Sequence, residues 1–483
     1  MEKRFLNRPL TRRELLTRSC NGIGALALAN LIAGDLQAAG DPVNPLAERP
    51  QHFKRKAKHC IFMFMVGGVS QMDSFEYKPL LQQYAGKQVP HMPRVTGELA
   101  GFLQQPHRIV PSPFEFKKCG QRGMYVSSLF PNLSECVDDM AFIHGIKVDN
   151  NNHGPATMHI NTGTQLQGGG SVGSWITYGL GTVNQNLPGY VVVEDPRGAP
   201  VNGSAVWSNG YLPASYQGTT FKASGTPILD LDRPSDLTRE RQRQEFDALK
   251  FLNEEHEKQH PGASELEARI SAYELAFRMQ AEAPQVVDID KESEATKKMY
   301  GLDDPITGSF GRQCLLARRL VEKGVRHVLV THGVEIGRFS WDDHGNIGER
   351  MPRHAAEVDK PVAALLKDLK QRGLLEETLI VWCSEMGRTS FISDLKSDKP
   401  GRGHNQFGLV TWMAGGDVKA GSSVGATDDF SVMAAEEPIL LRDVHATILN
   451  LMGLDDKRLT YLHAGRFRKL TDIGGNVLKQ IVT

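Results

Sequence analysis

Apolar residues along this chain fall into short unbroken runs that alternate with stretches of helical period. The run KHCIFMFMVGG, residues 58–68, carries no polar residue after His59 and ends in two glycines. A strand covered on both faces reads this way, because neither face has a polar side to show. GYVVVED at 189–195, VRHVLVTHG at 325–333, TLIVWCSEMG at 378–387 and FGLVTWMAGG at 407–416 repeat the pattern. Between and after them, SFGRQCLLARRLVEKG at 309–324, AAEVDKPVAALLKDLKQRG at 355–373 and LLRDVHATILNLMGL at 440–454 place apolar residues three and four apart. That spacing gives a helix one buried face. PNLSECVDDMAFIHGI at 131–146 reads as a helix leading into a short strand, and NNNHGPATMHINTG at 150–163 as a turn running into a helix. Strands alternating with helices predict an α/β fold in three layers, with a mostly parallel central sheet and helices on both faces.

One segment breaks the alternation. Residues 232–300 are rich in Glu, Gln, Arg and Ala, with helical period over 236–259 and again over 264–282, separated by Pro261-Gly262. This reads as a helical hairpin inserted at the edge of the core, its charges a solvated face.

Charge and composition narrow the function classes. Lys+Arg and Asp+Glu both total 56, so no basic excess points to nucleic acid. At the N-terminus, Arg12 and Arg13 precede Leu15 and Leu16, a Gly/Ala-rich apolar run over 21–34, and the small residues Ala38 and Ala39. Charged, apolar, then small is the order of a signal peptide, here with a twin arginine. Residues 1–39 are therefore expected to direct export of a folded chain by the twin-arginine machinery to the periplasm or beyond, leaving residues 40–483 as one domain. The apolar run is too short to span a bilayer. Cys20 lies in a poor lipoprotein context after Arg18 and Ser19, so no stable membrane anchor is expected. The five remaining cysteines are too widely spaced for a disulfide framework, with Cys119 and Cys136 the nearest pair.

Folding before export suits a protein that takes up a metal inside the cell, which directs attention to acids and imidazoles. Polar residues sit just beyond the predicted strands: Asp73 after the first, His153 opening a helix, and Asp342, Asp343 and His344 in WDDHG. Glu385 and Arg388 follow TLIVWCS, and His404 lies in GRGHNQF. In a parallel sheet these ends face one way, where sites of open α/β sheets form. Converging carboxylates repel unless a cation lies between them, and the mix of oxygen and imidazole nitrogen suits a divalent ion such as Zn, Ca, Mg or Mn. A guanidinium such as Arg388 beside that ion is suited to a phosphate or sulfate oxyanion.

The segments GGVSQMDSFEYKP, HGPATMHINTG, SVGSWITYGLG, WDDHGN, TLIVWCSEMGRT, GRGHNQF, GATDD and DVHATILNLMGL, in this order, resemble the DUF1501 family of twin-arginine-exported, sulfatase-like proteins, over about residues 58 to 480. That family is grouped with the alkaline phosphatase superfamily. The resemblance implies an alkaline phosphatase-like sandwich and a metal-dependent hydrolase acting on phosphate or sulfate esters of a small molecule or polysaccharide. It implies metal ligands at Asp73, Asp342, His344, Glu385 and His404. Where a sulfatase keeps a Cys or Ser nucleophile followed by Pro, Arg and a closing Thr-Gly, this chain has His153, Pro155, Thr157 and Thr162-Gly163. A formylglycine mechanism is thereby excluded, because that group is made from Cys or Ser. His153 is left open as a metal ligand, as a nucleophile or general base, or as neither; Thr157 is a second candidate nucleophile. Met386 stands where a sulfatase has a ligating His, and a thioether suits a hard ion poorly. The alternative function is a metal- or anionic-glycan-binding protein without turnover.

Overall fold

The computed structural model describes residues 44–90, 101, 104–228, 231, 233, 236–259, 264–334 and 340–483. The fold below is that of Leu46–Thr483; the signal segment expected at 1–39 lies outside the described residues.

Nine strands of the described chain share one sheet: β1 (His59–Met65), β2 (Met140–Lys147), β3 (Tyr190–Val193), β4 (Thr219–Phe221), β5 (His327–His332), β6 (Thr378–Cys383), β7 (Leu409–Ala414), β8 (Ser422–Val424) and β9 (Ile439–Leu440). Their order is β8-β2-β7-β6-β1-β5-β3-β4, with β9 also paired to β2. β1 lies at the centre, parallel to β5 and to β6, with Phe62 level with Leu329 on one side and Val381 on the other. All seven of its side chains are buried, as its unbroken apolar run predicts.

Alternation along β1 feeds two cores. Ile61, Met63 and Met65 face α5 (Ser264–Val287), α6 (Gly308–Glu322) and α7 (Ile347–Gln371), packing with Met279, Leu315 and Val362 among others. Cys60, Phe62 and Phe64 face α2 (His153–Thr162), α3 (Val172–Leu180) and α8 (Leu441–Leu451), with Ile160, Trp175 and Ile448. Helices thus cover both faces, and the three-layer architecture is as expected. The hairpin of the insertion is formed by α4 (Arg239–Gln259) and α5.

Two local expectations are corrected. Residues 131–139 form two short 3-10 turns, Leu133–Glu135 and Val137–Asp139, in place of a helix. The Asp359 carboxylate of α7 accepts the amides of Asn132 (2.9 Å) and Leu133 (2.8 Å), which anchors the first of these turns to α7. The strand that follows is long, eight residues, and buried almost throughout.

The second correction bears on the site. β7 runs antiparallel to both of its neighbours, β6 and β2. Its start, not its end, therefore lies at the carboxyl edge of the other strands. The loop before it, which carries His404, is delivered to that edge for this reason.

The five cysteines among the described residues are free thiols. No helix of the described chain is long and apolar enough to cross a membrane.

Candidate metal centre

β1 ends in Val66-Gly67-Gly68, where the backbone turns through positive φ at both glycines. A Cβ on Gly67 would meet the backbone nitrogens of Trp341 and Asp342 at 2.6 Å, so only glycine lets the WDDHG segment approach this closely. That approach is fixed by the Trp341 amide donating to the Val66 carbonyl at 2.8 Å. The glycine amides point the other way, onto Glu385 beyond β6. Gly67 N–H reaches its two oxygens at 2.8 and 3.0 Å, and Gly68 N–H reaches Oε2 at 3.1 Å. Glu385 is fully buried. Burial would raise its pKa, but the bond from His153 and these amides hold it below the usual carboxylate range.

His153 opens α2 behind the N-cap Asn152, whose side chain accepts from the Gly154 amide. Its Nδ1 lies 2.7 Å from Glu385 Oε1. Its Nε2 is buried without a hydrogen-bond partner and stands 3.2 Å from Asp342 Oδ1. The same Asp342 oxygen lies 3.0 Å from His344 Nε2, 3.1 Å from His404 Nε2 and 2.6 Å from Arg388 Nη2. The two Nε2 atoms of His344 and His404 face each other at 3.0 Å. One donor atom each from His153, Asp342, His344 and His404 therefore falls within 4.8 Å of the others.

The outer contacts fix the tautomers. His404 Nδ1 sits 2.7 Å from the Asn151 carbonyl, which can only accept, so that nitrogen carries the proton. His153 Nδ1 donates likewise to Glu385. In neutral rings both Nε2 lone pairs then point to the space beside Asp342. Imidazoles anchored through the far nitrogen by a carboxylate or carbonyl are the usual dress of a metal ligand. An orphaned ring nitrogen, two facing ring nitrogens and one shared carboxylate oxygen fit a divalent ion better than they fit one another.

With no ion bound, His153 takes the cationic role. Burial lowers its pKa, but the Asp342 and Glu385 carboxylates outweigh that and hold it at about 9. Burial would raise the Asp342 pKa, yet the three histidines and Arg388 hold it far below the usual range. A histidine that binds its proton more tightly folded than unfolded stabilises fully below its unfolded pKa of about 6.5, and that contribution is lost as pH rises through about 9. Chelated protein is accordingly expected to lose thermal stability between pH 6.5 and 9, and His153→Gln to flatten that slope. A melting curve measured across this range checks it; an unchanged slope in His153→Gln would remove His153 as its source.

Three expected site residues contribute no atom to the four-residue cluster. Asp73, in the short helix α1 (Gln71–Ser74), does not join the cluster. It is fully buried against Arg402, whose Nε and Nη2 reach its two oxygens, the latter at 2.9 Å. A carboxylate closed by a bidentate guanidinium has its charge neutralised there. Glu385 stands behind His153 and contributes no atom to the four. Arg388 reaches the cluster but not as an open anion binder. It is 1% exposed, and its nitrogens are turned to the carbonyls of Gly67, Gly68, Trp341 and Arg402 and to Asp342. Asp342, His344 and His404 are brought together as expected, and His153 joins them. Thr157, one turn into α2, is fully buried. Sequence reasoning missed Arg402, Gly67 and Gly68. Arg402 lies in the same GRGH segment as His404, and a buried acid such as Asp73 demands a cation; the pair is separated by more than three hundred residues.

Beside the cluster opens a cleft of about 420 Å³, lined among others by His344, His404, Thr389, Phe391, Ser393 and Lys399. His344, its side chain 53% exposed, stands between the two.

Fold and site together define a doubly wound α/β protein with a histidine–aspartate cluster at the carboxyl edge of a mostly parallel sheet. The chain belongs to the DUF1501 family, described as a protein of unknown function, whose model matches residues 57–482. Among solved structures it is similar to a sulfatase from Pseudoalteromonas sp., with 12% identity over 83% of this chain and 68% of that one, at a TM-score of 0.33. It is similar to alkaline phosphatase from the Antarctic bacterium TAB5, with 10% identity over 82% and 98% of the two chains and a TM-score of 0.35. It is also similar to a lipoteichoic acid synthase from Listeria monocytogenes, with 8% identity over 92% and 82% and a TM-score of 0.35. No curated protein matches the chain.

Proposed function

We propose that this chain is an exported, metal-dependent hydrolase of phosphate or sulfate esters that works without a side-chain nucleophile. The observation that carries the reading is the convergence of His153, Asp342, His344 and His404 on one point at the sheet's carboxyl edge. Three imidazoles and one carboxylate suit a borderline ion of the zinc class better than Ca or Mg, which prefer oxygen throughout. A divalent ion held there would polarise an ester oxygen and lower the pKa of a bound water to about 7.

The chain's own residues do the rest. Glu385 and the Asn151 carbonyl hold the His153 and His404 rings by their Nδ1 protons. Arg388 braces Asp342 from behind. Lys399, its side chain 63% exposed on the cleft wall and loosely paired with Glu349 at 3.7 Å, is a cation placed to meet an anionic ester, since Arg388 is consumed inside. Export rests on Arg12 and Arg13 and the segment after them.

A second reading is a metal- or anionic-glycan-binding protein without turnover. The burial of Thr157 and the engagement of Arg388 favour it. One preparation separates the two. Protein purified from its exported form is assayed for bound ions, then for release of aryl phosphate and aryl sulfate before and after chelation. Hydrolysis that stops on chelation and returns with the ion supports the first reading. A bound ion with no hydrolysis selects the second. Hydrolysis indifferent to chelation sinks the metal-dependent mechanism. Glu385→Gln keeps the shape but weakens the anchor on His153, and ion affinity is expected to fall about 10- to 100-fold, as lost outer contacts do; competition with a chelator of known affinity measures it.

A further inference from the structure

A second buried polar network lies at the same edge of the sheet. β5 ends in His332, which is fully buried. Its Nε2 stands 2.8 Å from Glu357 Oε2 of α7, and its Nδ1 stands 3.1 Å from the indole Nε1 of Trp341. An indole N–H can only donate, so Nδ1 accepts and the ring proton sits on Nε2, facing Glu357. Burial lowers the His332 pKa, which keeps the ring neutral. Arg197 ties Glu357 Oε2, at 2.9 Å, to Asp195 just beyond β3, at 2.7 Å. Asp195 in turn accepts the Gly333 amide at 2.8 Å.

The sheet edge alone does not need such a network, since well-packed apolar side chains of the same volume often hold a fold as well or better. What the network holds is Trp341. The Val66 amide donates to the His332 carbonyl at 2.9 Å, and the Val66 carbonyl accepts the Trp341 amide at 2.8 Å. The indole then returns to the His332 ring, so the backbone and the side chain of Trp341 are both fastened to the ends of β1 and β5. Residues 340–344 belong to no helix or strand and have no ladder to fix them. Asp342 is the next residue along. The Arg388 Nη2 that holds its Oδ1 at 2.6 Å also donates to the Trp341 carbonyl, at 3.3 Å. A shift of Trp341 would carry the shared carboxylate oxygen with it.

We infer that His332 is a positioning residue of the ligand cluster: by accepting from Trp341 it sets where Asp342 Oδ1 stands, and so how well His153, Asp342, His344 and His404 close on one ion. The inference rests on the ion-binding reading above. His332 makes no contact with the four donor atoms. It acts through Trp341, and Glu357, braced by Arg197 and Asp195, orients its ring from behind. Contacts that orient a ligand in this way are worth about 10- to 100-fold in ion affinity.

Zn²⁺ affinity of the whole chain, measured by competition with a chelator, tests the assignment through three substitutions. His332→Leu ends both ring bonds, and Trp341→Phe removes the indole N–H alone. Each is expected to weaken binding about 10-fold or more. Together they should weaken it no further than His332→Leu does, because they break one link. His332→Gln can accept through Oε1 and donate through Nε2, and should keep most of the affinity. A role confined to the fold would lower the melting temperature and leave affinity alone, which overturns the inference. Additive losses, or a Gln variant as weak as the Leu variant, overturn it too. Should His332→Leu not fold, Trp341→Phe set against His332→Gln gives the same comparison. A wild type that binds no Zn²⁺ sinks the metal reading instead, and crystal structures of ion-free wild type and Trp341→Phe then decide. Asp342 Oδ1 is expected to leave hydrogen-bonding distance of Arg388 Nη2 in the variant; an unmoved Asp342 overturns the inference.

Discussion

Asp342→Ala is expected to empty the proposed metal centre and to weaken the fold at the same time. Asp342 Oδ1 is the one atom that all three cluster histidines and Arg388 share, at 2.6 to 3.2 Å. Without it the three imidazoles keep their positions but lose the anion that offsets an ion's charge. Affinity should fall by more than about 100-fold, beyond what loss of an outer contact costs. Any ion-dependent ester hydrolysis should fall to background with it. The fold suffers separately, because Arg388 is 1% exposed and loses its only carboxylate partner among the described residues. Removing one side of a buried pair costs about 3–5 kcal/mol, and Asp342, its side chain 20% exposed, places the loss near the lower end. Chelated wild type and chelated Asp342→Ala, unfolded by denaturant, isolate that second effect. Full ion stoichiometry in the variant, measured by elemental analysis, would dismiss the centre as described.

The contrast between Asp342 and Asp73 shows what a sequence can and cannot carry. Both acids follow strands whose apolar character marks them as buried, and the alternation of strands with helices predicts a mostly parallel sheet, so the edge at which they gather was legible. So was the grouping of Asp342, His344 and His404. Direction was not. An apolar run such as LVTWMA reads alike whichever way it points, and β7 proves antiparallel; His404 reaches the edge through the start of a strand, where the parallel reading needed an end. Tautomer and anchoring were not legible either. That Glu385 stands behind His153 depends on Gly67 and Gly68 turning their amides toward it, a matter of backbone φ at two residues. His153, open to three readings from its place in the chain, is drawn toward ligation by an orphaned Nε2 aimed at Asp342.

Asp73→Asn is expected to separate the two effects that Asp342→Ala combines: to damage the fold and leave any bound ion in place. Asp73 and Arg402 have no exposed side-chain surface, and the guanidinium grips both carboxylate oxygens. Arg402 also donates through Nη1 to the carbonyls of Val110 and Thr389, at 3.0 and 3.3 Å, so the pair ties α1 to two further segments. Neutralising the acid leaves a buried cation without its counter-charge, a loss of about 3–5 kcal/mol. Arg402→Lys cannot rescue by charge alone, since a lysine offers neither the fork nor the second pair of contacts. Replacing both partners with apolar residues, Asp73→Leu with Arg402→Met, should recover much of the loss, because no charge is then stranded. The cycle of single and double variants, read by denaturant midpoint, measures the coupling. Ion content measured on the same samples decides the role of Asp73. A variant of native stability that has lost its ion would return Asp73 to the metal; full ion content in a weakened fold assigns it to the ion pair with Arg402, two residues from His404.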